Sequence, residues 1–346
     1  MIRGPILHAD ADAFFASVVM RHQPALRVIP MAVVAHVIIA SANYPARALG
    51  VKGGMLVQEA LHKCPQMVLI DVPRDEVEDV SDELFALFNE AAEKVEPGSM
   101  EEGFLDVGAR SSDQAIEAAT ALRQRAERQL GITLSVGIGR TKLMAKLGSR
   151  AAKPDGIHVI DEHEEARLRS DLPIGDVWGI GSTSRERLRQ LGVVTLADLD
   201  SVPADRLRRV CGTGMARRLA SIRDGSDDAV VRGMNERQSL TSEVAASGYE
   251  RRDWTVDEML ATCTERVCRR AASAGLAATG LKLTFLQADA APIVITRGSV
   301  PATADALVWH AVGQELLGRD PLPKLTGVRV ALTGMLPAEW AMTPLF

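Results

Sequence analysis

At 346 residues, with 47% hydrophobic and 25% charged side chains, the chain is long enough for several domains and is not composed like a disordered one. It has no run of about 18 apolar residues and no basic start leading into a long apolar run, so a cytoplasmic protein without a membrane span is expected. A net charge of −5 excludes a uniformly basic polyanion binder, although Arg-rich stretches at 185–189 and 206–218 leave local, salt-dependent nucleic-acid contact open.

In chain order, residues 5–9 read as a short buried strand, and 14–20 carry apolar positions at helical spacing that Asp12 can cap. Two apolar runs at 31–34 and 37–40 predict a tight hairpin, although its turn lacks the favoured Gly or Asn. A short helix begins at Tyr44 and stops at Gly50, and Gly53-Gly54 opens a bare loop before a helix over 56–63. Residues 76–94 read as a long amphipathic helix ended by Pro97-Gly98. An acidic hairpin follows, then a helix over 114–130, a strand over 133–138 and a helix over 141–152.

Strand, helix, acidic hairpin, helix, strand is the order of a ferredoxin-like sheet. From Asp161 strands disappear, and Val177-Trp-Gly-Ile-Gly181 before a helix over 184–191 makes a glycine hairpin between helices. Its backbone N–H groups can hold a DNA phosphate. Val210-Cys-Gly-Thr-Gly214 is a fainter echo. After a polar linker, a second α+β unit is expected: strands at 239–245, 280–285, 293–299 and 328–333, with helices at 255–274 and 303–317.

Two adjacent carboxylates, Glu101 and Glu102, lie between a turn signal and an apolar strand. Successive strand residues face opposite ways, so both reach one site only if the strand bends between them. Asp10, at the end of the first strand, is the natural third member of a cation site. His8 reads as a structural core histidine and Trp178 as a packing anchor for the glycine hairpin. Cys64, Cys211, Cys263 and Cys268 contain no CxxC pair, so reduced thiols are expected and not a zinc site.

The pieces His8-Ala-Asp-Ala-Asp-Ala-Phe-Phe-Ala-Ser-Val18, Ser41-Ala-Asn-Tyr-Pro-Ala-Arg47, Ser99-Met-Glu-Glu-Gly-Phe-Leu-Asp106, Ser135-Val-Gly-Ile-Gly139, Ala152-Lys-Pro-Asp-Gly156 and Trp178-Gly-Ile-Gly181 occur in this order. Together they resemble the Y-family of translesion DNA polymerases, most closely its bacterial DNA polymerase IV (DinB) branch, over nearly the whole chain. The resemblance implies an α+β multidomain fold. A ferredoxin-like palm would take 1–13 and 74–160, small fingers 14–73 and a helix-hairpin-helix thumb 161–228. A linker over 229–237 would lead to an α+β little finger at 238–338, with a tail at 339–346.

It also implies error-prone, template-directed DNA synthesis by transfer of a nucleotide from a dNTP to a primer 3′-hydroxyl. Two Mg²⁺ ions, with Mn²⁺ as an alternative, would be held by Asp10, Glu101, Glu102 and the carbonyl of Ala11. Phe14, Phe15, Ser41, Tyr44, Arg47 and Lys153 match nucleotide-binding positions, with Phe15 the steric gate against a 2′-hydroxyl. Gly179, Gly181 and Ser182 would hold primer-template DNA. Gly53 and Gly54 would leave space over the templating base. The tail resembles a sliding-clamp peptide ending in Leu345 and Phe346, and a monomer is expected.

The chain departs from the family pattern at several places. The second metal position is usually Asp and here is Glu101; Ala11, Val19, Pro45 and Gly103 also differ, and Gly103 would give the flexibility Glu101 needs. The longer Glu101 side chain adds about 1.5 Å of reach. The alternative is therefore a polymerase-like protein that binds primer-template DNA with weak or absent catalysis. A palm-type nucleotide cyclase shares the acidic hairpin but has no use for the Trp178 hairpin or the second α+β unit.

Overall fold

The computed structural model describes residues 4–227, 230–246, 254–288, 290–318 and 325–341, and of residues 74 and 75 the backbone only. Two compact units emerge, residues 1–21 with 75–232 and residues 22–74 with 233–346. The expected clamp-binding residues, Leu345 and Phe346, lie outside the described residues. None of the described helices is long and apolar enough to cross a membrane.

In chain order the elements are β1 (Ile6–Ala11), α1 (Phe14–His22), β2 (Met31–Ala35), β3 (Ile38–Ala42), α2 (Tyr44–Ala48), α3 (Val57–Lys63), β4 (Val68–Asp71), α4 (Arg74–Ala91), β5 (Lys94–Pro97), β6 (Glu102–Asp106), α5 (Ser112–Leu130), β7 (Leu134–Gly139), α6 (Lys142–Ala152) and β8 (Ile157–Val159). There follow α7 (Glu162–Asp171), α8 (Ser182–Gln190), α9 (Ala204–Asp224), β9 (Ser239–Ala245), α10 (Val256–Ser273), β10 (Leu276–Ala277), β11 (Gly280–Leu286), β12 (Ile293–Arg297), α11 (Ala306–Leu317), β13 (Gly327–Thr333) and β14 (Leu336–Pro337).

The first unit is built on a five-stranded sheet of order β5-β6-β1-β7-β8. Strand β1 lies antiparallel between β6 and β7, pairing Asp10 with Glu102 on one side and with Ser135 on the other. Side chains alternate across a sheet, so Ile6, His8 and Asp10 share a face with Phe104, Glu102, Gly137 and Gly139. The opposite face, carrying Leu7, Ala9 and Leu105, is fully buried. Helix α6 packs against β7 where that strand offers glycine: a Cβ at Gly137 would meet the Ala145 carbonyl and the Ser149 N–H at 2.0 Å.

Two expectations are corrected here. The long helix was expected to reach Lys94 but stops at Ala91, because Lys94–Pro97 pairs with β6 as the first arm of the acidic hairpin. Its single buried apolar residue, Val95, is too short a signal to read as a strand. Strand β8, three residues in parallel pairing with β7, gives no period to read and was not expected.

The helical part of this unit has its own core, with Leu172, Ile174, Val177, Leu188, Val193, Leu207, Leu219 and Ile222 buried. Asp161 caps α7 by accepting a hydrogen bond from the Glu164 N–H. Helix α9 kinks at Gly212, whose φ of 81° and ψ of 159° break the helix within the fainter glycine motif.

In the second unit, β3-β2-β4 form a small sheet with β2 and β4 parallel. The β2–β3 turn is made without glycine: His36 itself takes φ 59°. Asn43 organises the start of α2, since its carbonyl oxygen accepts from the Ala46 and Met31 N–H groups while its amide donates to the Leu26 and Ile29 carbonyls.

Strands β12-β11-β13-β9 make a four-stranded antiparallel sheet. Trp309, Phe285, Leu283, Val330 and the α10 residues Leu260, Cys263 and Val267 are buried in one core there. The Thr255–Glu258 capping box starts α10 where the sequence placed a helix. All four cysteines are free.

Candidate active site

The acidic residues of the first unit meet because of the strand order. Asp10 and Glu102 are direct cross-strand partners, so their side chains leave the same face. Glu101 lies in the bend between β5 and β6, outside the regular ladder, and its carbonyl accepts from the Ala11 N–H at 2.9 Å. The bend that two adjacent glutamates require is thus present at Glu101.

Each carboxylate has a different environment. Burial pushes the Asp10 carboxyl up despite an ion pair from Lys153 Nζ at 2.7 Å. Burial also pushes Glu101 up; Ser99 offsets part of this, and the charges of Asp10 and Glu102 add to it. Burial acts upward on Glu102 too, but the proximity of His8 and the Lys146 ammonium hold its carboxyl down at about 2. Burial thus disfavours the charged forms of Asp10 and Glu101, and an added cation would favour them.

The donors are hard oxygens, the kind that Mg²⁺ and Mn²⁺ prefer, and in kind they fit such an ion. The three carboxylates are electrostatic neighbours, yet among the described residues no three acidic, His or Cys side chains converge as a finished cage. Lysines engage Asp10 and Glu102 instead.

The Asp12 carboxylate accepts from the Ser135 hydroxyl at 2.8 Å and the Asp155 N–H at 2.9 Å, which ties the end of β1 to β7 and to the loop after α6. Gly103 sits in β6, where an added Cβ would make ordinary contacts, 3.4 Å from the Glu96 carbonyl and Phe85 and 3.6 Å from Phe88. Phe14 is buried and Phe15 half-buried, with ring centroids 5.7 Å apart.

Ser41, Tyr44 and Arg47 belong to the second unit. There Arg47 lies 5.0 Å over the Tyr44 ring and donates from Nε to the Ala42 carbonyl at 2.8 Å. The Ser41 hydroxyl is buried with no hydrogen-bond partner among the described residues.

The glycine hairpin is formed as expected. Gly179 takes φ 88°, Gly181 precedes α8 as its N-cap residue, and Ser182 is the first helical residue. Trp178 is more exposed than a packing anchor would be, at 41%. Its ring rests on Phe104, with Lys146 Nζ at 5.8 Å and the Arg218 guanidinium at 5.7 Å.

Residues that the sequence reading did not single out cluster on α6. Lys142 pairs with Glu96 at 2.5 Å, Lys146 with Glu102, and Ser149 with His8. The signal was present as polar residues at 142, 146 and 149, spaced four and three along α6, with Lys153 four further on as its C-cap residue.

The impB/mucB/samB family model matches residues 9–150. DNA polymerase IV of Marinomonas sp. is 35% identical over 69% of this chain and 69% of its own length. DNA polymerase IV of Pseudomonas syringae pv. syringae is 34% identical over 70% of each chain. The chain belongs to the Y-family of DNA polymerases, in the DNA polymerase IV branch.

Not every relative of this Y-family chain is covered to the same extent. DNA polymerase IV 2 of Mesorhizobium japonicum is 37% identical over 63% of this chain, and the match spans 52% of the relative's own length. The fold is shared end to end with solved Y-family structures. A Y-family polymerase chimera superposes with a TM-score of 0.75 at 24% identity, covering 96% of this chain and 99% of that one. DinB of Sulfolobus solfataricus gives 0.69 at 24% identity, covering 95% and 98%.

Proposed function

We propose that this Y-family chain is a DNA-directed DNA polymerase that carries out translesion synthesis, joining a dNTP to a primer 3′-hydroxyl with the template choosing the base. The observation that carries the reading is the cross-strand pair Asp10 and Glu102 with half-buried Glu101 beside it. Asp10, Glu101, Glu102 and the Ala11 carbonyl would hold two divalent ions. When bound, such ions activate the primer hydroxyl and steady the departing pyrophosphate.

The chain's own groups do the rest. Arg47 and Lys153 neutralise the triphosphate, Arg through a planar fork and Lys as a point charge. Tyr44 and the Ser41 hydroxyl supply neutral contacts to it, and Phe14 and Phe15 border the sugar, with Phe15 rejecting a 2′-hydroxyl. Gly179, Gly181 and Ser182 present backbone N–H groups to a DNA phosphate at the start of α8.

The domains are proposed as palm 1–13 and 74–160, fingers 14–73, thumb 161–228, linker 229–237 and little finger 238–338. A clamp contact through the tail belongs to the same proposal, as does the monomeric state.

Glu101 decides between catalysis and silent DNA binding. Its position in a bend gives the backbone room to absorb the longer side chain, so the Glu101→Asp variant is expected to extend primers within about tenfold of the parent rate. A gain on the order of 100-fold on shortening, the scale of a misplacement near 1 Å, would instead mark the parent as a DNA-binding protein with residual catalysis. Single-turnover extension with Mg²⁺ and with Mn²⁺ reads the difference.

A further inference from the structure

Beneath the acidic residues lies a buried histidine that no step above uses. His8 is fully buried on the central strand, with its ring 4.6 Å from that of Phe104. Its Nδ1 lies 2.7 Å from the Ser149 hydroxyl. Among the described residues its Nε2 has no aligned hydrogen-bond partner, and the Glu102 carboxylate stands 3.4 Å away. A buried ring nitrogen aimed at an ionised carboxylate is costly if it carries a lone pair and favourable if it carries a proton.

Ser149 decides which. Its hydroxyl has one proton and two acceptors in reach, His8 Nδ1 and the Lys146 carbonyl at 2.9 Å. That carbonyl lies inside α6, where it also accepts the helical N–H of residue 150, so it loses little when the hydroxyl turns away. Were the hydroxyl to stay on Lys146, Nδ1 would have to keep the ring proton, leaving a bare Nε2 against Glu102.

We propose that His8 is a positioning residue for Glu102, with Ser149 donating to Nδ1 so that Nε2–H points at the Glu102 carboxylate. Of the two groups on that carboxylate, Lys146 is a flexible ammonium in direct contact, whereas His8 is locked by the strand and by Ser149. If Glu102 turns toward a cation, the imidazole N–H gives its second oxygen a fixed direction. A hydrogen-bonded outer partner of a ligating carboxylate typically changes ion affinity or activity by about 10–100-fold when removed. The inference rests on the reading of Glu102 as an ion-binding carboxylate.

The test separates the two. Histidine-selective ¹⁵N NMR of the free protein, with the His8 signal assigned by its loss in the H8Q variant, reads the tautomer without any catalysis. The expected result is a protonated Nε2 that shifts toward the other tautomer in S149A. A bare Nε2 in the parent overturns the inference whatever the polymerase activity.

Two variants then read the consequence. In H8Q the amide N–H takes the place of Nε2–H, while in H8N it takes that of Nδ1. Mn²⁺ affinity measured by electron paramagnetic resonance should fall about 10–100-fold in H8N and be largely restored in H8Q, with both melting alike. Equal affinities in H8N and H8Q contradict the positioning role, and absence of Mn²⁺ binding in the parent contradicts the reading of Glu102 itself.

Discussion

The Asp10→Asn variant is expected to lose primer extension by about 10²–10³-fold, the usual cost of removing one preorganised electrostatic group from a reacting centre. Asparagine keeps the shape of the side chain and its place opposite Glu102. It removes the charge that faces Lys153 and acts on Glu101. Two consequences follow: Lys153 is left as a part-buried cation without its carboxylate, and a neutral amide cannot serve as a hard anionic ligand. DNA affinity, on the proposed contact through backbone N–H groups of the glycine hairpin, should stay within about twofold. Single-turnover extension beside a gel-shift titration gives both numbers. A variant that extends primers at the parent rate would remove Asp10 from the chemistry.

The second large effect lies under the site. Gly137→Ala is expected to destabilise the first unit by at least about 3 kcal/mol, the upper end of ordinary overpacking. The new Cβ would meet the Ala145 carbonyl, the Ser149 N–H and the Gly148 carbonyl carbon at 2.0, 2.0 and 2.5 Å. All three are backbone atoms of α6, so no side chain can swing aside. The helix would have to lift from β7, carrying Lys146 and Ser149 away from Glu102 and His8. At roughly 2–4 °C per kcal/mol for a unit of this size, differential scanning calorimetry should show the corresponding transition about 6–12 °C lower. An unshifted transition would mean that β7 and α6 are not seated this closely.

Much of this arrangement is legible in the residues because the informative stretches are local. The Thr255–Glu258 capping box and the alternation of 239–245 place α10 and β9 close to where they occur. Gly179 and Gly181 mark a turn that only a permissive backbone makes easily. The acidic pair and Asp10 could be read together because each borders a short apolar strand, and strand order then makes Asp10 and Glu102 neighbours.

What was missed depends on contacts between residues far apart in the chain. Lys94–Pro97 becomes a strand only because β6 is there to pair with it. The Asp12 carboxylate joins Ser135 and the backbone of residue 155, both far along the chain. His8 looks like any core histidine until α6 sets Ser149 on one nitrogen and β6 sets Glu102 near the other.

The most direct measurement of polymerase function is single-nucleotide primer extension by the unmodified chain, with enzyme in excess over primer-template and each of the four dNTPs offered in turn, in Mg²⁺ and in Mn²⁺. The expected result is one-base extension led by the dNTP complementary to the template, with the preference following the template when its base is changed. DNA bound in a gel shift but no extension with either ion would contradict it.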